Sequence, residues 1–198
     1  MSESNRELIL NRISYRTKIL QDNADYIADT CSSIAEILAI SIKSGNKLMF
    51  CGNGGSAAES QHMAAEYCAT LDHRKPREGM PAISLTTDTS LITAWANDFG
   101  FEGVFQRQVE TLGNVGDILI AYSTSGNSKN ICMAAEAAKS KGMKVIAFAG
   151  NHKNMAIDPL ADFTFKSPAI QTPLIQEIHT IAGHEICSNV ERILFNFQ

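Results

Sequence analysis

The sequence predicts an α/β fold: a three-layer α-β-α sandwich around a five-stranded parallel sheet, preceded by N-terminal helices. Three observations predict it. Short apolar runs alternate with helical patterns through residues 46–168. The runs are almost continuously apolar, as strands buried on both faces must be. Two of them break into turns rich in glycine or hydroxyl groups just before a helix, where an open parallel sheet places its ligands.

Residues 5–44 read as helices, with apolar residues at mixed spacings of three and four. A break is expected near Asp29–Ser33, where Asp, Thr and two Ser residues can cap a second helix, and Gly45 would end it. These helices extend the domain or pack against another subunit. "NKLMFCG" then reads as a buried strand, with a helix starting near Ser56. "AISLTT" is a second strand, followed by helical "SLITAWAND" and "GVFQRQVETLG". "DILIAYS" is a third, followed by helical "SKNICMAAEAAKSKG". "KVIAFAG" is a fourth and "DFTFKS" a weaker fifth, before a long helix over 172–195. No repeat or interdomain linker interrupts the pattern, so residues 1–198 read as one domain.

Composition narrows the function. The 198 residues are 44% hydrophobic and 19% charged, a globular balance able to support one sizeable core. A net charge of −4 without a basic block argues against a nucleic-acid partner. The short cluster Arg74-Lys75-Pro76-Arg77 reads as a solvated loop. Cys31, Cys51, Cys68, Cys132 and Cys187 are odd in number and form no CxxC pair, so they read as reduced packing residues. The polar N-terminus lacks a signal-peptide core, and no apolar run has the length of a membrane span. A cytoplasmic location is expected, with no membrane partner.

The glycine turn after the first strand holds Gly52, Asn53, Gly54, Gly55 and Ser56. Glycines admit positive φ and close approach, and the following helix offers unpaired N–H groups to an anion. A tight turn without a ligand explains this loop equally well. The third strand adds Ser123, Thr124, Ser125 and Ser128, four hydroxyls where a helix cap needs one. Hydroxyls and helix N–H groups hold a phosphate without lysine. That suits a sugar phosphate better than a nucleoside triphosphate, which recruits a P-loop lysine and magnesium.

On a helix starting near Ser56, His62 and Glu66 share a face one turn apart. Alone, such a pair is a common surface interaction. The last helix places Gln176, Thr180 and His184 on successive turns of one face, and polar groups on an inward face need partners. His179 lies to one side and reads as either a packed core residue or a functional one.

In these residues the chain resembles the sugar-isomerase (SIS) family and, within it, the bacterial phosphoheptose isomerases. The resemblance runs nearly the whole length and is carried by "CGNGGSAAESQHMAAE", "LTTDTS", "ANDFGFEGVFQRQVE", "STSGNS", "KGMKVIAFAG" and "IQEIH....H". It implies a flavodoxin-like sheet and a homotetramer. It implies that Asn53, Gly54, Gly55, Asn97 and Asp98 contact the sugar, and that Ser123, Thr124, Ser125 and Ser128 bind phosphate with Ser56 nearby. Without that resemblance, Asn97 reads as a helix cap and Asp98 as a solvated turn acid. It implies further that Glu66 and His184 are an acid–base pair. His62, Glu66, Gln176 and His184 match a zinc site of the family, with Gln176 also touching substrate. The implied reaction converts sedoheptulose 7-phosphate to D-glycero-D-manno-heptose 7-phosphate, for lipopolysaccharide core or a capsule. One departure stands out. The family commonly has Gly-Arg-Phe or Gly-Arg-Tyr just after the glutamate, whereas here Tyr67-Cys68-Ala69-Thr70 follow and arginine first appears at Arg74. The role of that arginine is missing, or has moved to Arg74 or Arg77.

An aldose–ketose interconversion moves a proton between C1 and C2 through an enediol, which needs a base at carbon and an acid at oxygen. Glu66 and His184 fit those roles. Gln176 and His184 are eight residues apart, roughly 12 Å along a helix. Either their side chains reach toward each other, or the two come from different copies and the site is shared between subunits. A rival reading is a non-catalytic SIS module that binds the replication initiator DnaA. Such a relative lacks the glutamate and the final histidine, and this chain keeps both. A sugar-phosphate-sensing regulator is a third reading, but no DNA-binding segment accompanies the domain.

Overall fold

The computed structural model describes residues 4–197. Residues 1–3 of the polar N-terminus and residue 198 of the expected domain lie outside the described residues. The strands are β1 (Leu48–Cys51), β2 (Ala82–Ser84), β3 (Ile118–Ser123), β4 (Lys144–Gly150) and β5 (Phe163–Ser167). The helices are α1 (Asn5–Asp22), α2 (Ala24–Lys43), α3 (Gly55–Cys68), α4 (Thr89–Phe99), α5 (Val104–Leu112), α6 (Lys129–Ser140) and α7 (Thr172–Phe195). All strands pair in parallel in the order β2-β1-β3-β4-β5. This is the expected three-layer sandwich, and the strand order reverses between β1 and β3.

Side-chain alternation along the strands divides the core. Leu48, Phe50, Ile120, Tyr122, Ile146, Phe148 and Phe165 pack under α2, α3 and α7. Met49, Cys51, Leu119, Ala121, Val145 and Ala147 pack under α5 and α6. Burial on both faces explains why β1 and β3 read as unbroken apolar runs. Among the described residues no helix is long and apolar enough to cross a membrane.

Two expectations are corrected. The helical break falls at Asn23, not at Asp29–Ser33. Ser33 donates its hydroxyl to the Asp29 carbonyl one turn back, and Thr30 and Cys31 are buried, so these residues serve the helix interior. Asn23 instead donates its side-chain amide to Ile19 and its backbone N–H to Leu20. The second correction concerns Arg74–Arg77. Arg74 is exposed and paired with Asp72, but the Arg77 side chain is only 1% exposed and ion-paired to Glu191. Periodicity carries no information on a partner 114 residues away.

All five cysteines are free; Cys31, Cys51 and Cys187 are buried, Cys132 is half-buried and Cys68 is exposed. Burial pushes the Cys31 and Cys187 thiols up to about 12, which keeps them protonated and unreactive.

Candidate active site

The reversal of strand order opens a crevice at the carboxyl ends of β1 and β3. The glycine turn fills one side of it. Gly54 has φ +56 and ψ −119, which side chains other than glycine avoid. A Cβ on Gly52 would collide with the Ser56 carbonyl, so the turn closes tightly onto the first turn of α3. The hydroxyl turn fills the other side. Ser123 donates to the Ser128 hydroxyl at 3.1 Å, while Thr124 is half-buried and Ser125 is exposed. The two turns are tied by a reciprocal amide pair: Asn53 donates to Asn130 at 2.9 Å and Asn130 returns a bond at 2.8 Å. Asn130 sits in the first turn of α6 and is buried. Both carboxamides are occupied, so the pair holds the loops in register.

A cleft of about 330 Å³ lies between α3 and the start of α7. Gly55, Ser56, Glu59, Gln176, His179 and Thr180 line it. The Gln176 amide lies against Gly55, where a Cβ would come within 2.5 Å of Nε2. Glu59 Oε2 accepts from the Thr180 hydroxyl at 2.7 Å, while its Oε1 is buried without a partner among the described residues. Sequence reasoning missed Glu59, although it precedes His62 by three residues on the same face of α3. Thr180, by contrast, was expected to need a partner.

His179 is a buried residue that also backs the cleft. It is buried, packs against Tyr122, Phe148 and Phe165, and its Nε2 lies 3.2 Å from the Ala149 carbonyl. The other ring nitrogen has no partner among the described residues. Burial pushes this imidazole down to about 4. Its pKa is therefore lower folded than unfolded, so the stability linked to the neutral ring is fully present above about 6.5 and is lost as pH falls through 4. At pH 4.5 the wild type should lose roughly 2–3 kcal/mol that a His179→Gln chain does not lose. Urea denaturation of both chains at pH 7 and 4.5 measures the difference.

Farther along the same two helices, three side chains converge. His62 Nε2 lies 3.0 Å from Glu66 Oε1 and 3.2 Å from His184 Nε2. Ligating atoms of all three lie within 4.8 Å of one another. His62 is exposed, and Glu66 and His184 are half-buried. Three donor atoms crowd onto one point where a single N–H can satisfy only one neighbour. Gln176 is not in this group: it stands in the cleft, two turns earlier on α7. Asn97 and Asp98 also stand apart, on the last turn of α4, exposed and bonded to each other at 2.7 Å.

The arginine question has a structural answer. Arg74 turns back to Asp72 in the loop. Arg77 is spent on Glu191 and on main-chain carbonyls of the α3 end. Neither guanidinium is directed by these contacts toward the cleft.

A glycine turn and a hydroxyl turn at a sheet reversal, with a carboxylate and imidazoles on flanking helices, place candidate anion-binding and proton-transfer groups at one end of an α/β domain. Comparison with known proteins narrows this. Residues 13–150 match the family described as SIS domain. The phosphoheptose isomerase of Burkholderia pseudomallei is 43% identical over 201 residues, covering 98% of this chain and 99% of that one. That of Clostridium acetobutylicum is 44% identical over 191 residues, covering 94% and 93%. Among solved structures, the phosphoheptose isomerase from Francisella tularensis superposes with a TM-score of 0.90 at 30% identity, covering 96% of this chain and 100% of that one. The enzyme GmhA from Neisseria gonorrhoeae gives 0.86 at 34%, covering 95% and 99%. The chain belongs to the SIS domain family and, within it, to the phosphoheptose isomerases. It is a sugar-phosphate isomerase.

Proposed function

We propose that the chain converts sedoheptulose 7-phosphate to D-glycero-D-manno-heptose 7-phosphate, in the cytoplasm, supplying heptose for lipopolysaccharide core or capsule. The observation that carries this reading is the meeting of Glu66 and His184 at one point, from two helices that also border the cleft. Ser123, Thr124, Ser125 and Ser128, with Ser56 and the N–H groups of the helix starts, hold the phosphate. Gly54, Gly55, Gln176, Asn97 and Asp98 contact the sugar, and Asn53 keeps the turn in place. Glu59 Oε1 accepts a bond from a substrate hydroxyl. Glu66 takes the proton from one carbon and returns it to the next. His184 moves protons to and from the carbonyl and hydroxyl oxygens.

The site is shared between subunits of a homotetramer. Gln176 and His184 stand two turns apart on α7, about 12 Å along the helix, which supports drawing them from different copies. In this reading one copy supplies the phosphate turns and another the acid–base pair. The uncovered face of α1 favours assembly too: none of its residues is buried, and Ile9, Leu10, Ile13 and Tyr15 are exposed.

His62, Glu66 and His184 suit a zinc ion. Tetrahedral ligands about 2.0–2.1 Å from zinc lie roughly 3.3 Å from each other, close to the 3.0 and 3.2 Å separations of Glu66 and His184 from His62. Bound zinc would polarise substrate oxygens as a Lewis acid. Gln176 of a neighbouring copy is the fourth candidate ligand. Zinc titration by calorimetry should give one site per chain, weakened at least about tenfold by His62→Ala.

The test is incubation of the purified chain with sedoheptulose 7-phosphate, followed by NMR, with and without chelator. Formation of heptose 7-phosphate supports the reading. No conversion under any metal condition overturns it in favour of a binding module.

A further inference from the structure

We propose that Arg77 and Glu191 form a positioning clamp that sets the distance between Glu66 and His184. The proposal rests on the reading of those two residues as the acid–base pair. α3 ends two residues after Glu66, and its last carbonyls have no partners within the helix. Arg77, from the loop leading to β2, meets them. Its Nη2 donates to the Glu66 carbonyl at 2.7 Å, and its Nη1 to Tyr67 at 2.9 Å and Ala69 at 3.3 Å. Nη1 also reaches the Glu78 carbonyl at 3.0 Å. Its Nε donates to Glu191 Oε1 at 2.6 Å. The same oxygen accepts from the Leu71 N–H at 3.2 Å, which pins the loop that carries Arg77.

Glu191 lies on α7, seven residues beyond His184, so the two project from nearly the same face. One guanidinium thus grips the backbone of the residue bearing the carboxylate and the helix bearing the imidazole. Both side chains are almost fully buried, at 1% and 5% exposure. The Phe195 ring lies 5.7 Å from the guanidinium carbon.

Stability alone is a weak account of such a pair. Removing two charges from water is costly, and well-packed apolar residues often serve a core equally well. A planar guanidinium does what apolar residues cannot: its N–H bonds leave in fixed directions and hold several acceptors at once. Here those acceptors belong to the two helices whose relative placement the chemistry needs. Arg77 touches no reacting atom and acts through Glu66 and His184.

The experiment compares the full-length wild type with Arg77→Met, Glu191→Gln and the double variant Arg77→Met/Glu191→Met. Each single variant should lower kcat about tenfold to a hundredfold, because misplacement of about 1 Å costs that much. KM should stay within about twofold, since the phosphate turns are untouched. The double variant leaves no unpaired buried charge, so its Tm should recover toward wild type while kcat stays low. Crystal structures of the variants should show the Glu66 carboxylate displaced from His62 and His184. A kcat that recovers with Tm in the double variant, or a variant with the wild-type carboxylate–imidazole geometry, overturns the clamp. If the wild type turns over no sugar phosphate, the proposed function fails, and the crystal structures alone decide on the clamp. If a single variant does not fold, the double variant carries the test.

Discussion

Glu66→Gln removes about 10³ of the turnover with the substrate still bound and the chain still folded. The amide has the size and shape of the carboxylate, and the side chain is one-fifth exposed with His62 as its hydrogen-bond partner, so packing is barely disturbed. What is lost is the ability to accept a carbon-bound proton. The measurement is kcat at saturating zinc, paired with exchange of solvent deuterium into the carbon that loses its proton. Wild-type protein should wash deuterium into substrate even before net conversion is complete, because the enediol returns to either side. The variant should neither convert nor exchange. Retention of exchange in Glu66→Gln would mean that another group removes the proton, and the assignment of the base would fall.

Mixing two inactive variants restores activity when each spoils a different half of a shared site. Glu66→Gln destroys the acid–base half, and Ser125→Ala/Ser128→Ala destroys the phosphate half. Each alone should be at least about a hundredfold slower than wild type. After unfolding and refolding together in equal amounts, random pairing should give intact halves in roughly a quarter of the sites. The geometry also supplies a control. Glu66 and His184 meet within one chain through His62, so they belong to the same half. A mixture of Glu66→Gln with His184→Ala should remain inactive. Recovery in the control mixture, or none in the first, refutes a site divided between the phosphate turns and the acid–base cluster.

The fold and the turns of the candidate site were legible because their signals are local. Gly54 is a glycine because its own φ and ψ demand it, and a strand ending there announces a turn whatever lies across from it. Ser123 and Ser128 stand out because four hydroxyls exceed what a cap uses. β1, β3 and β4 read correctly because double burial leaves a composition that needs no partner to be recognised. The α7 bounds, Thr172–Phe195, matched the expected helix because Pro173 marks its start and a three-and-four pattern runs through it. The break at Asn23 was missed because Asp29, Thr30, Ser32 and Ser33 carry the chemistry of a cap, and only the structure, with Thr30 and Cys31 buried and Cys31 directed at α7, showed that the helix continues through them.

The sequence by itself determined the parallel sheet and the glycine and hydroxyl turns that end two of its strands, since each follows from a few neighbouring residues. Only the tertiary structure decided which residues meet. It separated Gln176 from His184, joined Glu59 to Thr180 across 121 residues, and buried Arg77 against Glu191 where a solvated loop was expected. The physical reason is that chain periodicity fixes the direction in which a side chain leaves its own element, whereas the partner it finds depends on how two elements are packed, and that is settled by the core beneath them.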